Sequence, residues 1–136
     1  MDVFKHFLPQ SGRLVLIWNY EDESCAWTQE LRKLYEKFED GTFPQFAHGT
    51  WRNVWKTPEA ATLFEKVEER VVTQNPLVTK QQCWDKIVSK SYISLLEQSV
   101  QDQLRVECFA VIDKAFAGQE KIEYPLKTLT FAALKK

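Results

Sequence analysis

The sequence predicts an α/β fold, a sheet with helices packed around it, on two kinds of observation. Residues 13–19 form an unbroken apolar run, and residues 126–134 are apolar or β-branched throughout, so both segments are predicted to be strands buried on both faces. Residues 25–38 and 99–118 instead repeat apolar side chains at the spacing of an amphipathic helix. Helices and strands of this kind pack as layers around one core.

The segments before the first long helix have recognisable ends. Residues 2–8 are predicted to form a short helix that stops at the turn of residues 9–12. The helix at residues 25–38 follows Ser24, which is a good N-cap residue. The acidic run at residues 21–23 precedes this helix, and we expect its negative charge to complement the helix dipole.

The middle of the chain contains a second helix start and a third strand. Thr57 and Pro58 are typical of an N-cap followed by the first helical residue. Residues 65–73 then alternate as a half-exposed strand would, with Val67 and Val71 on one face.

The C-terminal half continues with helix signals. Thr79 and Gln82 match a capping box, which predicts that a helix begins there. Ser99 opens the longer helix, and Gly118 ends it. Because the sequence contains no internal repeat, low-complexity tract or linker, residues 1–136 are predicted to form a single domain.

The composition argues against several classes of function. The 18 basic and 19 acidic residues give a formal net charge of -1, so neither nucleic acid nor an anionic membrane is an expected partner. No apolar run reaches the ~18 residues of a membrane-spanning helix. The cysteines are three in number and far apart, unlike a secreted disulfide framework, which predicts a reducing, cytoplasmic location.

Four short motifs occur in order along the chain, in the segments Leu8–Asn19, Gly49–Trp55, Ser89–Ile93 and Tyr124–Thr128. Together they resemble the C-terminal half of class I S-adenosylmethionine-dependent methyltransferases of the methyltransferase type 11 kind. The first resembles the turn into the fifth strand of that family, which in one subgroup ends in Ile-Trp-Asn with an acidic residue shortly after. Here Asn19 ends the strand and Glu21 follows it. The other three resemble Gly-x-Trp-Arg-x-Val-aromatic, Ser-x-Ser-Tyr-Ile and the Pro-Tyr-x-Thr turn, the last with proline and tyrosine exchanged.

The resemblance implies a partial Rossmann-like methyltransferase sheet, made of the fifth, sixth and seventh strands with their flanking helices. These strands correspond to residues 13–19, 65–73 and 126–134, and the last is expected to lie antiparallel between the other two. The family holds its cofactor on a Gly-x-Gly-type loop over the first strands. This chain has four glycines and no such loop, so it contains no expected cofactor-binding residue. S-adenosylmethionine is expected only if a missing N-terminal half completes the fold.

The candidate substrate-binding residues are Asn19, Trp51 and Arg52. Asn19 ends a predicted strand, where ligands bind in open α/β sheets, or else is a turn residue that satisfies backbone groups. Trp51 and Arg52 form part of a substrate lid, or else Trp51 covers the core while Arg52 pairs with a surface glutamate. His48 is either a general base or a solvated loop residue. No residue is assigned a catalytic role.

A metal site is not expected. The cysteines Cys25, Cys83 and Cys108 and the histidines His6 and His48 do not occur at ligand spacing. The second and third cysteines fall on apolar helix faces and are predicted to be core residues.

Three interpretations of function remain open. The chain is half of a methyltransferase and inactive until another chain supplies the cofactor site, or it is a non-catalytic interaction protein that pairs through the exposed edge of the strand at residues 13–19. In either case a second copy or a related methyltransferase is the expected partner. Alternatively it is a truncated gene product without independent function, since Met1 precedes the first predicted helix, where a reading frame could restart.

Overall fold

The structure, a computed structural model, describes His6, residues 9–42 and residues 45–136, excluding the side chain of Lys66. The helix predicted over residues 2–8 therefore lies outside the described residues, apart from His6. The chain divides into two compact units, and each is described separately below. The sheet unit contains residues 9–20, 45–72 and 127–136, and the helical unit contains residues 21–42 and 73–126. The expectation of one domain over residues 1–136 stays a prediction.

Three strands form the sheet of the first unit: β1 (Arg13–Glu21), β2 (Phe64–Gln74) and β5 (Leu126–Lys135). Their order is β1-β5-β2, so the last strand occupies the inner position that was expected of it. The Lys135 N–H donates to the Gly12 carbonyl at 2.8 Å, while Asn19 bonds to Thr128 farther along, so β5 runs antiparallel to β1. Helices together with antiparallel strands confirm a mixed α/β protein.

The register of β1 determines which of its backbone groups reach β5. Lys135 lies opposite Gly12, and the Asp22 N–H donates to the Pro125 carbonyl at 2.9 Å, so the same register holds at both ends of the strand. Hydrogen-bonded pairs alternate along an antiparallel ladder. The even-numbered residues of β1 therefore bond to β5, whereas the N–H and C=O groups of Val15 and Ile17 point away from it. Among the described residues no strand pairs with that outer side of β1.

The prediction that β1 is buried on both faces was wrong. Exposed and half-buried residues alternate along the strand, and the side chains of Val15 and Ile17 are 48% and 61% exposed. The physical reason is that only the even-numbered apolar side chains of the strand pack in the core cluster of this unit. Leu14, Leu16 and Trp18 lie against that cluster, whereas Val15 and Ile17 are largely exposed. An apolar run thus predicts that a strand forms, but it does not predict that both faces of the strand are buried.

The strand β2 is also more exposed than its alternating pattern predicts. Phe64 at its start is buried, but Val67 and Val71 are 46% and 50% exposed. Charged residues occupy most of the remaining positions, so this outer strand of the sheet faces solvent along most of its length.

A layer of short helices covers the core face of the sheet. It consists of the 3₁₀ segments Phe46–His48 and Thr50–Lys56 followed by the helix α2 (Pro58–Leu63). The Thr57 side chain accepts from the Ala60 N–H and Pro58 is the first helical residue, as the sequence predicts. Apolar contacts join this layer to the buried Phe64, Phe131 and Ala133.

The helical unit contains α1 (Ala26–Glu36), α3 (Lys80–Val88), α4 (Ser91–Ser94) and α5 (Gln98–Phe116). Both α1 and α3 pack against α5. A two-stranded antiparallel sheet, β3 (Leu77–Val78) with β4 (Ile122–Glu123), completes the unit. No helix among the described ranges has the length and apolarity needed to cross a membrane.

Helix ends in this unit follow the sequence signals with small shifts. The capping box is confirmed, because the Thr79 side chain accepts from the Gln82 N–H while the Gln82 side chain accepts from the Thr79 N–H. The N-cap of α1 is Cys25 rather than Ser24. Gly118 follows α5 with φ at 75°, a left-handed conformation that glycine adopts readily.

Candidate functional site

The predicted site at Trp51 lies in a cluster of aromatic rings on the core face of the sheet. The ring centroids of Trp18 and Trp51 are 4.6 Å apart, and Phe46 lies 5.1 Å from Trp18 and 5.8 Å from Trp51. Trp51 also meets Phe131 of β5 edge to face at 5.4 Å. Its indole nitrogen is buried and has no hydrogen-bond partner in the part of the chain that the structure describes. Trp51 thus packs mainly against other rings of the sheet unit.

Arg52 is held by two contacts within the sheet unit. Its guanidinium lies 4.3 Å from the centroid of the Trp51 ring, a cation–π arrangement. Its Nη2 donates to Glu69 Oε2 at 2.9 Å, and its Nε donates to Oε1 at 3.2 Å, which makes a bidentate pair. Hydrogen bonding to Glu69 raises the pKa of Arg52, and the same bonds lower the pKa of Glu69. Of the two alternatives that the sequence left open for Arg52, these contacts match the one in which Arg52 pairs with a surface glutamate.

Asn19 lies on the other face of the sheet. Its neighbour Trp18 contacts Trp51, and because consecutive strand residues point to opposite faces, Asn19 points away from the aromatic cluster. The Thr128 hydroxyl donates to its Oδ1 at 2.6 Å. The structure therefore brings Trp51 and Arg52 together and separates Asn19 from them. A substrate-binding role for the three residues stays a prediction.

Two further features of the sheet unit bear on the site. His48 ends the first 3₁₀ segment and is exposed, and its role as a general base stays a prediction. A cavity of about 120 Å³ is lined by Arg13, Glu68 and residues 132–134. It includes none of the three predicted substrate-binding residues, and its volume is well below the ~300 Å³ of a small ligand site.

The sequence did not predict a second polar site, which lies in the helical unit around Glu21. This carboxylate is only 6% exposed and accepts a hydrogen bond from the Tyr124 hydroxyl at 3.1 Å. Lys86 Nζ lies 3.6 Å and Lys90 Nζ 3.9 Å from Glu21 Oε1. Lys90 Nζ is 4.9 Å from the centroid of the Tyr35 ring. We call these residues the Glu21 cluster: Glu21, Tyr35, Lys86, Lys90 and Tyr124.

Burial and neighbouring charges shift the pKa values of four members of this cluster, Glu21, Lys86, Tyr35 and Tyr124. Burial alone would raise the pKa of Glu21, but the ammonium groups of Lys90 and Lys86, together with hydrogen bonds that include the one from Tyr124, lower that pKa. Burial lowers the pKa of Lys86 despite the opposing charge of Glu21. Burial, with the Glu21 charge next in size, raises the pKa values of Tyr35 and Tyr124 far above the ordinary range, so both remain protonated.

The expected role of Glu21 as a charge at a helix N-terminus was wrong. Glu21 ends β1 and turns inward, and no acidic residue lies in the first turn of α1. Asp22 instead accepts from the Ser24 backbone and hydroxyl at 3.0 and 2.8 Å. Local sequence could not show this, because Tyr124, which donates to Glu21, is 103 residues distant.

None of the four glycines lies in a loop of the kind on which the family holds S-adenosylmethionine. Gly12 precedes β1, Gly41 follows α1, Gly49 separates the two 3₁₀ segments and Gly118 follows α5, so none lies in a loop after a parallel strand. Within the described ranges no three His, Cys, Asp or Glu side chains are placed to share a metal ion. Burial raises the pKa of Cys83 to about 11 and that of Cys108 to about 12, as expected of core thiols.

Comparison with known proteins adds no relative from which a function can be transferred. No protein family matches this chain in sequence, and no curated protein matches it. The methyltransferase resemblance therefore depends on the four short motifs alone, and it enters the next section as a proposal.

Proposed function

We propose that this chain is a methyltransferase-like half-fold, inactive alone, whose β1 edge binds the polypeptide segment that completes the sheet. That segment would supply the strands and the loop that hold S-adenosylmethionine, because none of the four glycines of this chain lies in a loop of that kind. This chain would then contribute the acceptor side of the site, with Asn19, Trp51 and Arg52 as substrate-binding residues. Methyl transfer from a sulfonium needs mainly alignment of donor and acceptor in a dry site.

The single observation that carries the proposal is the open edge of β1. The backbone groups of Val15 and Ile17 point away from β5, and the same two side chains are exposed. An apolar strand with unpaired N–H and C=O groups is a template for another strand. Neither residue carries a charge or a proline that would block such pairing.

The opposite edge of the sheet differs in a way that supports this assignment. Along β2 the charged residues Glu65, Glu68, Glu69 and Arg70 are exposed. Charged side chains on an edge strand discourage pairing with other chains. The two edges of one sheet thus differ, and only β1 is suited to accept a strand.

The order of the strands also supports a methyltransferase-like arrangement. The resemblance implies that the seventh strand lies between the fifth and the sixth, and β5 lies between β1 and β2. In such a sheet the strand next to β1 on its outer side would belong to the half of the fold that holds the cofactor. We propose that location for the completing segment. The three cysteines, of which two are buried, are free thiols, which fits a proposed cytoplasmic setting.

A second candidate function is a non-catalytic interaction protein, which one specific observation favours. Arg52 is already engaged by Glu69 and Trp51, and Asn19 lies on the other face, so the predicted acceptor residues do not converge. In this case the same β1 edge would bind a second copy or a related methyltransferase without contributing to catalysis.

Sedimentation equilibrium of the purified chain at several concentrations tests the proposal. We expect reversible self-association, because a second copy can occupy the β1 edge when the completing segment is absent. Val15→Lys should shift the protein to a 16.0 kDa monomer, since it places a charge on the exposed strand. Val106→Lys, at a position that is 65% exposed on α5, is the matched control and should associate as the wild type does. A wild type that stays monomeric at all concentrations would show that the edge is protected.

A further inference from the structure

The Glu21 cluster contains two buried polar atoms that have no hydrogen-bond partner among the described residues, the Tyr35 hydroxyl and Lys86 Nζ. Tyr35 is only 1% exposed, so its hydroxyl cannot be satisfied by bulk water. The ion pair of Lys86 Nζ with Glu21, at 3.6 Å, is longer than a hydrogen bond. A buried donor without an acceptor is costly, and an ordered water or a ligand usually satisfies it.

The charges within the cluster do not balance. Two ammonium groups, those of Lys86 and Lys90, share one carboxylate, that of Glu21. The Tyr124 hydroxyl donates to Glu21 Oε1, and both ammonium groups face that same oxygen at distances longer than a hydrogen bond. Among the described residues, no second carboxylate lies within ion-pair distance of either ammonium group.

The other charged groups facing the cluster come from α1 and the segment after it. Arg32 faces Tyr35 and is paired with Glu23 at 2.8 Å and with Glu36 at 2.6 Å. Burial raises the pKa of Tyr92, and the charges of Glu39 and Glu36 add to that rise. The charges that act most strongly on Lys86 are those of Glu21 and Lys90. The excess of positive charge is therefore local to the two lysines.

The cluster is open to solvent from the side of the lysines. The side chains of Lys86 and Lys90 are 29% and 26% exposed, although Lys86 Nζ itself is buried. This partly exposed side is the one from which a small solute would approach the two ammonium groups. The tyrosine side of the cluster, in contrast, lies within the core.

We propose that the Glu21 cluster is a binding site for a small oxyanion, which accepts hydrogen bonds from Lys86 Nζ and the Tyr35 hydroxyl beside the Glu21 carboxylate. Phosphate and carboxylate groups share the required chemistry, oxygen acceptors with negative charge. The site lies within the helical unit and does not depend on the function proposed for the β1 edge.

Thermal unfolding of the full chain at constant ionic strength tests this site, with phosphate or acetate replacing chloride. A ligand that binds only the folded state raises the Tm with each further increase in its concentration. We expect such a rise in phosphate, in acetate or in both, relative to chloride, and the two arms distinguish which oxyanion fits. Equal Tm values in all three salts would overturn the proposal.

Two variants locate the effect. Tyr35→Phe removes one unpartnered hydroxyl, so in chloride its Tm should equal or exceed that of the wild type, whereas in the stabilising oxyanion it should be lower. Lys86→Met should abolish the oxyanion-dependent rise, while Lys114→Met, which removes an exposed ammonium, should retain it. If Lys86→Met does not fold, Tyr35→Phe decides alone. An oxyanion effect of the same size in Tyr35→Phe as in the wild type would place binding elsewhere and refute the site.

Discussion

At the scale of single residues, neighbours in the sequence have separate environments. Trp18 packs in the aromatic cluster, Asn19 lies on the opposite face of the sheet, and Glu21 ends in a buried ionic cluster. Alternation along a strand is enough to separate the first two. The sequence motif that contains all three residues therefore does not define one site.

We expect Trp51→Ala to destabilise the sheet unit much more than Arg52→Ala. The tryptophan ring contacts three other aromatic rings, and loss of such a side chain costs about 3 kcal/mol. The Arg52–Glu69 pair is about 40% exposed on each side, at 42% and 39%, so its loss should cost less than about 1 kcal/mol. Urea denaturation measures both values. Equal costs for the two variants would contradict the packing described here.

We expect Glu21 to make the protein sensitive to acid. Its folded-state pKa is lowered, so the stability that it contributes is present above the ordinary glutamate value of about 4.3 and is lost as the pH falls below it. Glu21→Gln should flatten the dependence of the urea midpoint on pH in this range. Glu30→Gln, which removes an exposed partner of Lys114, is the control and should keep the wild-type slope. A Glu21→Gln variant with an unchanged slope would show that the carboxylate is not held as a paired anion.

At the scale of elements, helix α3 depends on a cap that the sequence makes visible. We expect Thr79→Ala to lower the free energy of unfolding by about 1 kcal/mol, because it leaves the Gln82 N–H without its acceptor. Thr62→Ala, at an exposed position within α2, is a suitable control because its hydroxyl donates to the Pro58 carbonyl of its own helix and does not cap a helix N-terminus. Denaturation of the two variants under the same conditions checks this, and an equal loss in both would contradict a special role for the cap.

Sequence predicted elements better than it predicted their surroundings. The caps at Thr57 and Thr79 are local, since each involves residues three positions apart, and both were found. The two-sided burial of β1 was wrong because burial depends on what packs against a strand: Leu16 lies against the core cluster, whereas Val15 and Ile17 are largely exposed. The Glu21 cluster was missed because its members come from distant segments that meet only in the folded chain.

At the scale of the whole molecule, the sheet has one edge suited to pairing and one that is charged. This difference is the basis of the proposal that another strand completes the sheet beside β1. The backbone amides of β1 show directly whether this edge is paired, because the amides of alternate residues point to the two sides of the strand. The amides of Leu16 and Trp18 point toward β5, whereas those of Val15 and Ile17 point to the open edge.

Amide hydrogen exchange of β1, followed by NMR at increasing protein concentration, is the most direct test of this claim. We expect the Leu16 and Trp18 amides to exchange slowly at every concentration, because they are bonded within the sheet. The Val15 and Ile17 amides should exchange fast in dilute solution and slow down as the concentration rises and a second strand occupies the edge. Slow exchange of Val15 and Ile17 even in the most dilute sample would contradict the account, because the edge would then be covered within a single chain.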